Sequence, residues 1–189
     1  MTTDSVIDDV LLLLGEDPEL CLHSSGSGAC GLTLRERIGR ELAPCASRAV
    51  ADTPRMQLTG WRRLGSDGLS VDADGRALLP LPADFLSLFS LRMTSWSHPV
   101  AEVLGADSWL RRLQGNRWHG LRGSPQRPLV FATVTDDGSP ALELFSCPAE
   151  DTLAEGWYMP APVPADGVIE IPPAAYRRCL GYIVETLRM

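Results

Sequence analysis

Two prolines one residue apart, in the stretch LLPLPADFLSLFSLRMTSWSHPV at residues 78–100, constrain the fold of this chain more than any other feature. Pro80 and Pro82 fix φ and remove two backbone donors, so the chain must pass this point extended. Pro82 suits the first position of a helical turn, and Asp84 sits near the positive end of its dipole. Phe85, Leu88 and Phe89 fall at helical spacing. From Phe89 the period shifts to two, with Phe89, Leu91 and Met93 alternating with Ser90, Arg92 and Thr94, which predicts a half-buried strand. The segment is scaffold, with no catalytic group inside it.

The flanking sequence divides by period. Residues 4–14 read as a helix with Ile7, Val10, Leu11 and Leu14 in one stripe and Gly15 as its stop. Residues 15–31 read as a loop around SSGSG. Thr33 with Glu36 forms a capping box for a second helix, whose inward face carries Leu34, Ile38, Leu42, Ala46 and Ala49. Pro44 lies within that pattern and is expected to kink or split the helix. Beyond it, Asp74-Gly75 and Asp137-Gly138 each separate two strand-like runs and predict hairpins. Residues 152–159 and 168–171 read as further strands, and residues 107–113 as a short helix with Trp109 and Leu113 inward. Pro172-Pro173 opens a last helix with Tyr176, Leu180, Ile183, Val184 and Leu187 on one face. The expected class is α+β, one domain over 1–189, with a helical part at 1–56, a β-rich part at 57–171 and a closing helix at 172–189.

Charge narrows the function classes. The net charge is −7, which argues against a duplex-binding surface, since phosphate recognition needs clustered cations. All 17 cations are Arg, the usage of a GC-rich coding sequence, although Arg also favours planar pairing at interfaces. The longest apolar run, at residues 10–14, is far too short to cross a bilayer, and the acidic start MTTDSVIDD does not read as a secretory signal.

A catalytic centre requires titratable groups that converge. His23 borders the Ser/Gly loop, His98 precedes Pro99, and His119 lies in an Arg/Gly-rich loop; none belongs to a nucleophile or metal motif. The five cysteines, Cys21, Cys30, Cys45, Cys147 and Cys179, form no CxxC pair and read as free thiols of a reducing compartment. Cys21, His23, Cys30 and Cys45 are zinc-ligand types, but their spacing matches no finger or knuckle. GSGACG at residues 26–31 lacks the strand and the Lys-Ser/Thr ending of a phosphate loop. Residues 116–127, rich in Arg around Trp118, read as a solvated loop with a buried Trp rather than a nucleic-acid loop. Asp8-Asp9 and Asp136-Asp137 read as capping and turn residues. No catalytic, cofactor-binding or metal-binding residue is assigned, and the chain is expected not to be an enzyme.

The order of motifs is more telling than any single one. VIDDVLLLLGEDP, the capping-box helix at residues 33–51, LLPLPADFLSLFSLRM and the final AYRRCLGYIVETLRM together resemble the head-to-tail connector proteins of tailed bacteriophages. These adaptor or neck proteins include the short-tailed kind called tail tubular protein A. The resemblance implies a virion structural protein that self-associates into a ring on assembly, attaches to the portal protein, meets tail or nozzle proteins and extends the DNA channel, without catalysis, cofactor or membrane. Its location would be the virion, and the host cytoplasm during assembly. DNA would pass without specific binding, and an acidic lining suits sliding because it lacks cationic grip. The alternative reading is a bacterial small-ligand-binding module or accessory enzyme using the β region and the Trp118 loop.

Overall fold

The computed structural model describes residues 1–17, 32–116 and 120–188, and it has the α+β architecture read from the sequence. It divides into two units, one formed by Met1–Gly60 with Ala161–Met189 and the other by Trp61–Pro160. Where the sequence pattern drew a β-rich part over 57–171, the β unit is thus shorter at both ends.

In the helical unit, helix α1 spans Thr3–Leu14. Thr2 caps it by accepting from the Ser5 N–H, and Gly15 closes it at φ 82°, a left-handed conformation that suits glycine. Val6, Ile7, Val10 and Leu11 are buried. Helix α2 spans Leu34–Ala51 and opens with both halves of the predicted capping box, Thr33 and Glu36 each accepting from the other's backbone N–H. It buries Ile38, Leu42, Cys45, Ala46, Ala49 and Val50. The expectation that Pro44 would split it is corrected, for α2 runs through Pro44 as one element. The proline is exposed; it forgoes the bond its N–H would have made to the Arg40 carbonyl and crowds that carbonyl, while neighbouring residues are held by the packed face.

The last helix, spanning Pro173–Arg188 and labelled α4 below, packs along α2 and touches α1. It buries Ala175, Cys179, Leu180 and Ile183. The strand expected at 168–171 is corrected: only isolated bridges join Val168 to Thr2 and to Ala165, although Ile169 and Ile171 are buried.

In the β unit, strands β1 (Arg62–Arg63), β7 (Leu153–Pro160) and β4 (Phe85–Met93) form one antiparallel sheet. Strands β2 (Ser70–Val71), β3 (Arg76–Pro80), β6 (Pro140–Phe145) and β5 (Leu129–Val134) form another, in that order. Leu79, Leu88, Leu91, Met93, Trp96, Val130, Leu142, Leu144 and Tyr158 belong to a single core shared by the two sheets. Both predicted hairpins are present, with Gly75 at φ 79° and Gly138 at φ 85° in their turns. Gly156 is required for a different reason. A Cβ there would stand 2.9 Å from the Leu64 Cβ, so β7 approaches Leu64 too closely for any side chain.

The Pro-Leu-Pro junction is extended as predicted, but the helical turn after it is corrected. The chain makes a β-turn closed by the Phe85 N–H on the Pro82 carbonyl at 3.0 Å, and β4 starts at once. The helical spacing has another origin. Between Phe85 and Ser87, and again between Leu88 and Ser90, β4 carries one residue more than β7 opposite it. Each such bulge lengthens the interval between inward residues from two to three. Leu88 and Leu91 are consequently both buried, while Phe89 is half-buried against the Trp61 ring at 4.3 Å between centroids.

Candidate functional site

The β unit carries the most developed polar site. Strand β6 is paired on both sides, and its residues 141–145 are buried. Pleat alternation sends Leu142 and Leu144 to the shared core and Ala141, Glu143 and Phe145 to the opposite face. On that face Phe145 meets Phe131 edge to face, with centroids 5.5 Å apart. Glu143, 3% exposed, lies opposite Leu78 on β3 and Phe131 on β5.

A carboxylate that deep requires partners, and two guanidiniums supply them. Arg76 Nε stands 2.5 Å from one Glu143 oxygen and Arg111 Nε 2.6 Å from the other. Arg111 comes from helix α3, Trp109–Leu113, and donates further to the Ala106 carbonyl at 3.3 Å and to Thr133 Oγ1 at 3.2 Å. Gln114, also 3% exposed, fixes the chain beyond α3. Its amide donates to the Leu110 and Leu121 carbonyls, and its oxygen accepts from the Gly123 N–H at 2.7 Å.

Between this segment and the β2–β3 hairpin lies a cleft of about 480 Å³, lined by Asp72, Asp74, Arg76, Arg111, Arg112, Gln114, Gly115, Arg122, Glu143 and Phe145. Asp72 Oδ1 accepts from the backbone N–H groups of Asp74 and Arg76, and Arg122 Nη2 donates to the Asp74 carbonyl at 3.1 Å. Among the described residues neither Arg112 nor Arg122 is paired with a carboxylate. The sequence analysis assigned none of these residues. A signal for Glu143 exists in ALELF, where one acid interrupts an apolar strand, but nothing local says which cations would meet it.

The other sequence candidates disperse. Cys21, His23, Cys30, Trp118, His119 and the GSGACG stretch lie outside the described residues. Cys45 is buried on α2 beside Thr186, its thiol pushed up by burial. His98 is exposed, its Nδ1 3.1 Å from Ser97 Oγ. Among the described residues no three His, Cys, Asp or Glu side chains gather as a metal site would need, and no helix is long and apolar enough to cross a membrane. The capping role expected for Asp8 and Asp9 is corrected. Both lie in the middle of α1, where Asp8 holds Arg35 of α2 at 2.6 Å and Asp9 accepts from the Tyr176 hydroxyl of α4. Asp137 does serve its turn, accepting from Ser139 N and from Thr135 Oγ1, contacts that hold its carboxyl below the usual range. Trp109, expected inward, is instead 56% exposed, because α3 turns Arg111 rather than Trp109 toward the sheet. No family model matches the chain, and no curated protein does either.

Proposed function

We propose that the chain is a head-to-tail adaptor subunit of a tailed bacteriophage, working through assembly interfaces rather than chemistry. The observation that carries this reading is the set of large apolar side chains left exposed on the helical unit. Leu12 and Leu13 on α1 are 63% and 56% exposed, and Met56 is 89% exposed. A helix with apolar residues on its inner and outer faces is suited to a neighbour on the outer one. The arrangement of the polar groups points the same way. Several of the described carboxylates tie elements together, as Asp8, Asp9 and Asp52 do between helices. Trp109 adds an exposed aromatic to the β unit, next to the arginines of the cleft, the residue types that anchor interfaces.

The isolated chain would remain a monomer or small oligomer in dilute solution, since acidic subunits repel until specific contacts form. Incubation with its cognate portal protein, followed by electron microscopy, is the test. A collar of this chain on the portal is the expected result, and a portal that acquires none at concentrations well above micromolar overturns the reading. One observation favours the second reading, a small-ligand-binding module: the arginine-lined cleft is of the size that ligand pockets have. A bare portal together with a ligand held in the cleft would select it.

A further inference from the structure

We propose that the cleft between the β2–β3 hairpin and α3 is a receptor for a single carboxylate group, taken by Arg112 and Arg122 with Phe145 in the lining. Four arginines, Arg76, Arg111, Arg112 and Arg122, face three carboxylates, Asp72, Asp74 and Glu143, so the lining carries an excess of one positive charge. On a chain of net charge −7 that is a positive island in a negative field, and it concentrates anions. The cations are not equivalent. Arg76 and Arg111 are held by the buried Glu143, and Arg111 donates further from Nη1 to Ala106 and from Nη2 to Thr133. Arg112 and Arg122 have no carboxylate partner among the described residues, so they are the cations of the lining with donors left for a ligand.

Guanidinium groups present parallel N–H donors that match the two oxygens of a carboxylate. One negative charge balances the excess of the lining, whereas a phosphate dianion would exceed it. The walls are preorganised: Glu143 fixes one side through two arginines, Gln114 fixes the other through three backbone groups, and Asp72 holds the hairpin. Such fixed walls lower the ordering cost of binding. The carboxylate could belong to a free small acid or to an acidic segment of a partner polypeptide, and the proposal does not depend on ring assembly.

Calorimetric titration of the full chain at constant ionic strength, with benzoate, inorganic phosphate and a tetraglutamate peptide as probes, tests this. Saturable binding of benzoate or the peptide in the millimolar range or tighter is expected, roughly tenfold weaker in Arg112→Gln and weaker still in Arg112→Gln/Arg122→Gln. Arg63→Gln, which removes an exposed charge elsewhere on the β unit, should leave it unchanged. Arg112 is exposed, so its single variant keeps the test open if the double variant fails to fold, which thermal melts will show. Tighter binding of the peptide assigns the carboxylate to a polypeptide, and tighter binding of benzoate assigns it to a small acid. No saturation by either probe up to about 10 mM, an equal loss in Arg63→Gln, or phosphate binding tighter than both overturns the proposal.

Discussion

Glu143 shows what a single residue can fix in this protein. Its carboxylate joins β6 to the hairpin arginine Arg76 and to Arg111 of α3, so its removal strands one partly buried guanidinium and loosens the cleft wall. Glu143→Gln is expected to cost about 2–4 kcal/mol in denaturant melts, toward the range for breaking a buried pair. Arg62→Ala, which removes a half-exposed ion pair with Asp84, should cost under about 1 kcal/mol. Similar losses for the two would mean that Glu143 is far better solvated than its burial states. The buried thiols make a second case. Burial, reinforced by Asp151 and Asp72, pushes Cys147 from 9.0 up to about 12, and burial does the same to Cys179. At pH 8 each should carry roughly a thousandfold less thiolate than a free cysteine, and should resist a thiol reagent until the chain is unfolded. The sign for stability follows from the same shift. Unfolded thiols ionise near 9.0 and folded ones only near 12, so their contribution is complete below pH 9 and is lost as pH rises toward 12. Tyr176, raised by burial and by its bond to Asp9, acts in the same direction. Melting temperatures that hold steady from pH 9 to 11 would contradict this.

At the scale of elements, α2 and β4 each carry a local irregularity that neighbouring contacts absorb. Pro44 is exposed inside α2, so Pro44→Ala should restore the bond to the Arg40 carbonyl and stabilise the protein, by up to about 3 kcal/mol. A loss of stability there would mean that the helix needs its proline. In β4 the bulges decide which substitutions matter. Leu88→Ala should cost about 2–5 kcal/mol, since Leu88 is fully buried, and Ser90→Ala should fall within about 0.5 kcal/mol of neutral. Phe89→Ala should lie between them, losing its contact with Trp61 but no fully buried side chain. Chemical-denaturation midpoints in the order Leu88, Phe89, Ser90 test the bulged register directly, because a regular alternation would make Phe89 the most costly of the three.

Over the whole molecule, the β unit forms one continuous stretch of chain and the helical unit is built from both ends. Arg62 and Arg63 pair with Tyr158 and Trp157, so the first and last strands of the β unit lie side by side. Its core is drawn from its own residues. A polypeptide of residues 61–160 is therefore expected to fold alone, with a dispersed amide spectrum and a cooperative melt. The segments 1–60 and 161–189 should each be largely unfolded when separate, because α4 supplies the surface on which α2 is buried. A disordered 61–160 fragment would show that the β unit depends on the helices.

What the sequence determined by itself was whatever adjacent residues encode. Thr33 and Glu36 are three apart and close their capping box without help, Gly15 stops α1, and Asp-Gly at 74–75 and 137–138 turns two hairpins. The amphipathic faces of the three long helices were legible for the same reason, and with them the α+β class. Tertiary structure decided the rest. A bulge is defined only against the partner strand, so residues 85–89 have helical spacing until β7 is laid beside them. Trp109 faces outward because Arg111 is drawn to Glu143, a partner on a strand far along the chain. The cleft is assembled from a hairpin, a short helix and the middle of a strand, and no local pattern joins Arg76, Arg111 and Glu143. The attraction between Glu143 and its two arginines is strong only once the sheet has removed the carboxylate from water, and that condition belongs to the folded chain.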